Sequence, residues 1–282
     1  MELYCDLHTH SVFSDGTYTP AQLLEEAQKI GLSAIALTDH NTVAGLPDFL
    51  KAAGGKTVEA VPGVEFSTDY EGTELHILAL YLKEAYFDQV TELMMLYHRR
   101  KEQSNIDLVE NLNRDGYKIS YEKIKSATPE GQVNRALIAA ELTALGYTAS
   151  NKEAFERLLR PSCGYYTPPQ RFTPEEMLKI IRDLGAVSVL AHPYLNLKEV
   201  QLHQFLSKAK NWGLQGMEVR YSTYDEETTA SAFAMADEFG LLYSGGSDFH
   251  GKNKPDIQLG QGRGTLTVPA FWVSKIRENV QK

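Results

Sequence analysis

The sequence that decides the fold runs over residues 3–40 and reads LYCDLHTHSVFSDGTYTPAQLLEEAQKIGLSAIALTDH. It begins with a predicted strand, Leu3 to Leu7, which is followed at once by polar residues. The next segment starts at Thr19 with a capping box and a proline at the first helical position, and it predicts a helix that ends at Gly31. A second predicted strand, Ser33 to Leu37, follows. This order of strand, helix and strand is typical of a parallel sheet.

The carboxy-terminal third repeats the same pattern. A second capping box begins at Thr173, its helix ends at Gly185, and a short apolar strand then ends at His192. Further strands are predicted at Val58 to Val61, His76 to Leu80, Gly216 to Arg220 and Leu241 to Tyr243. Strands that alternate with helices of these lengths predict an α/β fold whose parallel sheet is most economically closed as a barrel.

The middle of the chain has a different pattern. From 85 to 159 the apolar residues recur almost entirely at helical spacing. We therefore predict a barrel formed by 1–84 and 160–282, with an inserted all-helical cap domain at 85–159.

Composition limits the classes of function. The 282 residues are 43% hydrophobic and 23% charged, with a net charge of −9, which excludes a disordered chain and argues against a stable complex with long nucleic acid. The two cysteines, Cys5 and Cys163, are far apart, which indicates a reducing compartment and argues against a cysteine-ligated zinc site. Because the apolar runs fall well short of about 18 residues, we expect a cytoplasmic protein with no membrane association.

Six of the eight histidines lie at or beside predicted strands, and three acidic residues accompany them. These nine residues are His8, His10, His40, His76, His192, His250, Asp15, Glu65 and Asp248. In a parallel barrel the carboxyl ends of the strands open on one face, so the side chains are expected to converge there. Imidazole and carboxylate groups suit manganese, iron or zinc, and nine ligands favour two or three divalent ions. Each residue alone has an ordinary structural explanation; only their joint placement predicts a metal site.

The motifs that carry these residues resemble those of the PHP (polymerase and histidinol phosphatase) family. They are Asp6 to Ser11, Ser14 to Gly16, Thr38 to Asn41, Gly63 to Ser67, Leu190 to Pro193 and Gly246 to His250. The resemblance covers nearly the whole chain and implies a distorted (β/α)7 barrel with a trinuclear metal centre. It places one ion among His8, His10, Glu65 and Asp248, a second among Glu65, His76 and His192, and a third among Asp15, His40 and His250.

Within the family, the cap and the segment Gly164 to Pro168 resemble a branch of nucleoside 3′,5′-bisphosphate phosphatases that also includes the exoribonuclease RNase AM. That branch carries an Arg-Pro-His motif near the substrate phosphate, whereas this chain has Arg135, Ala136 and Leu137. The resemblance therefore implies a phosphate contact for Arg135 but none for the missing histidine. This departure affects the identity of the substrate more than the class of reaction.

The expected reaction is hydrolysis of a phosphomonoester by a metal-activated water, on a small phosphorylated substrate such as a nucleotide. Four side chains are expected to touch the reacting groups: Asp15, His40, Glu65 and Asp248. Arg135, Arg171 and Ser67 are expected to contact the phosphate. Arg171 and Ser67 also have ordinary structural explanations, as a surface residue beside a helix start and as the end of a strand. Asp39 is expected to orient a ligand by a hydrogen bond.

Two other functions are compatible with the sequence. Histidine-rich barrels also support amidohydrolase chemistry on non-phosphate substrates, although the strand motifs lack a lysine suited to carbamylation. A metal-stabilised module that senses nucleotides without hydrolysing them is the other alternative. The full set of ligand residues argues against it.

Overall fold

The computed structural model describes residues 3–127 and 133–280. The chain divides into two compact units, of which the first combines Met1–Glu92 with Phe172–Lys282 and the second is Leu93–Arg171. The predicted helical insertion, 85–159, overlaps the second unit. Its assignment as a cap domain stays a prediction.

The described part of the first unit is built on an eight-stranded sheet with the order β7-β6-β5-β4-β3-β2-β1-β8. The strands are β1 (Tyr4–Asp6), β2 (Ala34–Leu37), β3 (Glu59–Tyr70), β4 (Thr73–Leu80), β5 (Val187–Leu190), β6 (Gly216–Tyr221), β7 (Leu242–Gly246) and β8 (Val268–Pro269). β2 and β5 are buried along their whole length, as expected for strands covered on both faces.

The two ends of the sheet meet just beyond β1 and β7. The Leu7 amide donates to the Gly245 carbonyl over 3.2 Å, and the Asp248 amide donates to the His8 carbonyl over 2.8 Å. The sheet is therefore a nearly closed barrel, and the predicted α/β barrel class is confirmed.

The strand pattern predicts a parallel sheet, and this is wrong at β4 and β8. β4 runs antiparallel to β3 and β5, and β8 runs antiparallel to β1. β3 and β4 are joined by Glu71 and Gly72 alone, whose φ angles are 53° and 85°. Two residues with positive φ form a tight hairpin turn, which leaves no chain for a crossover helix. β3 also continues to Tyr70, beyond the predicted end at Val61, so Glu65 lies inside the strand.

Helices follow most of the strands. They are α1 (Pro20–Lys29), α2 (Leu46–Ala52), α3 (Phe87–Arg114), α4 (Tyr121–Ser126), α5 (Arg135–Ala144), α6 (Asn151–Ala154), α7 (Pro174–Asp183), α8 (Glu199–Trp212), α9 (Glu226–Glu238) and α10 (Phe271–Glu278). The predicted capping boxes at Thr19 and Thr173 are both formed, and each satisfies orphan backbone amides at a helix start. Across 3–127 and 133–280, no helix combines the length and apolar composition needed to cross a bilayer.

The second unit contains most of α3 together with α4, α5 and α6. It has its own hydrophobic core, in which Leu108, Leu112, Ile138, Leu142 and Leu159 are completely buried.

Candidate metal centre

Histidines from four strand ends are brought together at one end of the barrel. His8 and His10 follow β1 and are fully buried. Their rings lie 5.1 Å apart because alternate side chains of an extended segment point the same way. The ring of His10 lies 4.4 Å from that of His40, after β2, and 4.2 Å from that of His250, after β7. The ring of His8 lies 5.5 Å from that of His192, after β5.

The Glu65 carboxylate is the centre of this cluster, and its two oxygens face different histidines. Oε1 lies 2.8 Å from His76 Nδ1 and 3.0 Å from His192 Nε2. Oε2 lies 2.8 Å from His40 Nδ1 and 3.3 Å from His8 Nε2. A carboxylate with histidines beside both oxygens suits divalent cations.

The other two acidic residues, Asp15 and Asp248, lie beside His10 and His250. Asp15 Oδ1 is 3.1 Å from His250 Nε2. Asp248 Oδ1 is 3.1 Å from His10 Nε2 and 3.4 Å from His250 Nδ1. The second Asp248 oxygen, Oδ2, accepts hydrogen bonds from the Tyr221 hydroxyl and the Lys254 ammonium, each over 2.6 Å. These bonds leave Oδ1 directed at the histidines.

The described residues contain three overlapping groups whose ligand atoms lie within 4.8 Å of one another. The groups are His10, Asp15, His40 and His250; His8, His10 and Glu65; and His40, Glu65 and His76. His10, His40 and Glu65 each belong to two groups. The distribution of the nine residues over particular ions stays a prediction.

Several buried polar atoms of the cluster lack hydrogen-bond partners within the described part of the chain, and this shows whether the residues fit a cation. Among the described residues, His8 Nε2 and both ring nitrogens of His10 are buried without a hydrogen-bond partner. A buried polar atom without a partner costs about 1–3 kcal/mol. These donor atoms converge on one place, and divalent ions would satisfy them. The residues therefore fit a metal centre.

The charges of the cluster shift the pKa values of its members. Burial raises the pKa of Glu65, but the charges of His8 and His76 outweigh burial and hold this pKa well below its usual range. Burial also raises the pKa of Asp248, and the charges of His8 and His10 likewise reverse the shift. Burial lowers the pKa of His76, yet the charge of Glu65 raises it to about 10. For His10 burial dominates and lowers the pKa to about 3.

These shifts predict that metal binding releases protons. Metal-free His76 is protonated below pH 10, and a cation must displace that proton before it can use the ring nitrogen. The apparent affinity for Mn²⁺ should therefore increase by about tenfold per pH unit for each displaced proton between pH 7 and 9. Calorimetry in two buffers of different ionisation enthalpy counts the protons. A His76→Ala protein should release fewer, and equal proton release by the two proteins would contradict the assignment.

Two predicted residues fix loops around the cluster. Asp39 accepts from the Ser11 amide over 2.7 Å, from the Ser11 hydroxyl over 2.6 Å and from the Ser14 hydroxyl over 2.5 Å. It thus holds the loop between His10 and Asp15. The Ser67 hydroxyl accepts from the Asn41 amide group over 3.1 Å.

The two predicted phosphate-binding arginines belong to the second unit. The guanidinium of Arg135 lies 4.3 Å from the centre of the Tyr166 ring and donates to the Leu159 carbonyl over 3.3 Å. Arg171 is the last residue of that unit. Their contact with phosphate, like that of Ser67, stays a prediction.

Three residues near the cluster were not expected from the sequence. Glu218 in β6 is fully buried beside His8, and Tyr221 and Lys254 bind Asp248. A signal existed for Glu218, since it is an acidic residue between Met217 and Val219 in a predicted apolar strand. A charged residue in such a strand is rarely buried without a partner.

Comparison with known proteins identifies the family of this chain. The sequence profile of the PHP domain matches residues 6–162, which is more than half of the chain. This range includes four of the six motifs, from Asp6 to Ser67. The chain belongs to the PHP family. It is a metal-dependent phosphoesterase by that membership. Its histidine and carboxylate cluster provides the kinds of ligand that divalent ions use.

Relatives of known name are similar over most of their length. A 5′-3′ exoribonuclease of Haemophilus influenzae is 30% identical over 87% of this chain and 89% of its own. A 3′,5′-nucleoside bisphosphate phosphatase of Chromobacterium violaceum is 25% identical over 90% of both chains. A crystal structure from Bifidobacterium adolescentis, described as that of a metal-dependent phosphoesterase, matches 99% of this chain and 97% of its own with a TM-score of 0.72 and 28% identity.

Proposed function

We propose that this PHP-family phosphoesterase hydrolyses a phosphomonoester of a nucleotide, such as a nucleoside 3′,5′-bisphosphate or the phosphorylated end of a short oligonucleotide. The observation that carries the proposal is the position of Glu65. Its two oxygens face separate sets of histidines, so two divalent cations can share one carboxylate. A pair of cations in this arrangement is suited to phosphoryl chemistry.

Two or three ions of manganese, iron or zinc, when bound, would supply Lewis-acid activation of water and neutralise the phosphoryl oxygens. The residues of the chain hold that chemistry in place. Glu65 and Asp248 stay ionised at neutral pH, since both pKa values are lowered. Asp15 and His40 lie at the more exposed side of the cluster and are the proposed contacts to the reacting groups. Arg135, Arg171 and Ser67 are the proposed contacts to the substrate phosphate.

The relatives support a nucleotide-derived substrate. One is named for a nucleoside bisphosphate and another for RNA. The exoribonuclease name favours a second candidate, in which this chain removes nucleotides one at a time from the 5′ end of a short RNA. The net charge of −9 favours short substrates over long ones.

The test is an assay with separate product readouts. Protein reconstituted with Mn²⁺ is incubated with adenosine 3′,5′-bisphosphate, AMP, an aryl phosphate and a 5′-phosphorylated RNA pentamer. Inorganic phosphate and released mononucleotides are measured separately. We expect phosphate from the bisphosphate, and we expect a His10→Ala protein to lose at least about 100-fold in rate, because a buried ligand is removed. A His203→Ala protein, altered at an exposed surface pair, is the control.

The products separate the alternatives. Mononucleotides from the pentamer would support the exoribonuclease candidate. Phosphate from the aryl ester alone would retain the phosphoesterase chemistry and exclude the nucleotide. If metal-loaded protein releases nothing from any of the four, the proposed substrate class is wrong, and an amidohydrolase substrate or a sensing role takes its place.

A further inference from the structure

Glu218 is a buried carboxylate that connects two of the predicted metal ligands. It lies in β6 and is completely buried. Oε1 lies 3.0 Å from His8 Nδ1, and Oε2 accepts a hydrogen bond from the backbone amide of His192 over 2.6 Å. Each oxygen therefore has its own partner, and the two partners follow different strands, β1 and β5.

We propose that Glu218 is a positioning residue for the metal centre, which fixes the ring of His8 and the backbone of His192 on the two sides of Glu65. The proposal rests on the metal centre proposed above but not on its substrate. Glu218 does not need to touch a cation or the substrate for this role, since it acts through its two neighbours.

The contact with His8 decides which ring nitrogen is available. When Nδ1–H donates to Glu218, the lone pair of Nε2 is free. Nε2 is the nitrogen that lies 3.3 Å from Glu65 Oε2, and it has no hydrogen-bond partner among the described residues. A carboxylate on the far nitrogen of a metal-binding histidine fixes its tautomer and the orientation of its ring.

The contact with His192 holds an unusual backbone conformation. His192 has a φ of 31°, in the left-handed region that a residue with a side chain seldom adopts. Strained backbone of this kind persists where neighbouring contacts fix it. The hydrogen bond to Glu218 is one such contact, and it places His192 Nε2 3.0 Å from Glu65 Oε1.

The variant Glu218→Gln distinguishes the positioning role of Glu218 from a role in packing, because it keeps the shape of the side chain but changes its hydrogen bonds. The amide of Glu218→Gln has nearly the same shape but only one acceptor. If its oxygen accepts from the His192 amide, its NH₂ group faces His8 Nδ1 and favours a proton on Nε2, which blocks that nitrogen. If the amide is turned around, its NH₂ group opposes the N–H of His192 instead.

We expect Glu218→Gln to bind Mn²⁺ about 10–100-fold more weakly than the unaltered protein, measured by chelator competition. The melting temperature of the metal-free protein checks that the variant is folded. Glu238→Gln is the matched control, because Glu238 pairs with His203 over 2.8 Å at the surface. It should bind Mn²⁺ normally. Unchanged affinity in a folded Glu218→Gln protein would overturn the proposal.

A measurement on the unaltered protein covers the case in which Glu218→Gln does not fold. In zinc-loaded protein with ¹⁵N-labelled histidine, NMR should show His8 protonated at Nδ1 and not at Nε2. A proton on Nε2 would refute the proposal whatever the variants do.

The variant Glu218→Asp keeps the charge on a shorter side chain. It should recover part of the Mn²⁺ affinity that Glu218→Gln loses. The affinity and NMR measurements use no substrate, so a wrong nucleotide assignment would leave their results unchanged.

Discussion

A Glu65→Gln protein is expected to lose activity by about 10³-fold or more, with loss of bound metal. An amide has one weakly coordinating oxygen, so it cannot bridge two cations as a carboxylate does. The lost stabilisation of the transition state amounts to several kcal/mol, and each 1.36 kcal/mol corresponds to about tenfold in rate. Phosphate release and metal content per chain, measured on the same sample, test both parts of the expectation.

The control lies in the same strand. Glu59 begins β3 and pairs with Arg277 and the Tyr81 hydroxyl. Glu59→Gln should leave metal content and activity close to normal. A Glu65→Gln protein that keeps its full metal content and at least a tenth of its activity would show that Glu65 does not bridge.

A Gly246→Ala protein is expected to lose both stability and metal binding. Gly246 ends β7, where a Cβ atom would lie 2.5 Å from His8 N and 2.9 Å from His8 Cα, and closer still to His8 Cβ. His8 directly follows β1 and its backbone is held by a hydrogen bond to the segment after β7, so these atoms cannot move aside independently. Overpacking costs about 1–3 kcal/mol, and backbone contacts place this site at the upper end. The melting temperature should decrease by roughly 5–10 °C, and Mn²⁺ affinity should decrease with it because His8 is displaced.

Ser244→Ala provides the comparison within β7. Ser244 is fully buried, and its hydroxyl has no hydrogen-bond partner among the described residues. Removing that hydroxyl should change the melting temperature by no more than about 2 °C. If the Gly246→Ala protein has the same melting temperature as the Ser244→Ala protein and retains its metals, β7 and the segment after β1 are less closely packed than the structure indicates.

Much of the barrel and of the cluster was predictable because both depend on local patterns. The capping boxes at Thr19 and Thr173 mark helix starts, and polar residues after apolar runs mark strand ends. His8, His10, His40 and Asp248 are all recognisable in this way. The convergence of these residues then follows from the geometry of a barrel.

The remaining features depend on contacts between distant segments. The antiparallel β4 results from the two-residue turn at Glu71 and Gly72, which looks like any polar loop when the strands beside it are not yet known to pair. The role of Glu218 depends on His8, which lies 210 positions earlier in the chain. No local pattern in the sequence indicates a contact between residues so far apart. The contacts of Arg135 with Tyr166 are likewise set by the packing of the second unit.

The closure of the barrel also determines when the metal centre can form during synthesis. The Asp6 carboxylate accepts from the Ser247 amide, 241 positions later. A ribosome adds about 5–20 residues per second, so the nascent chain holds His8 and His10 for roughly ten to fifty seconds before their partners after β7 exist. During that interval the groups of His8, His10 and Glu65 and of His40, Glu65 and His76 are already present in the chain, but Asp248 and His250 are not. The group of His10, Asp15, His40 and His250 can therefore form only after residue 250 has been added and the barrel has closed.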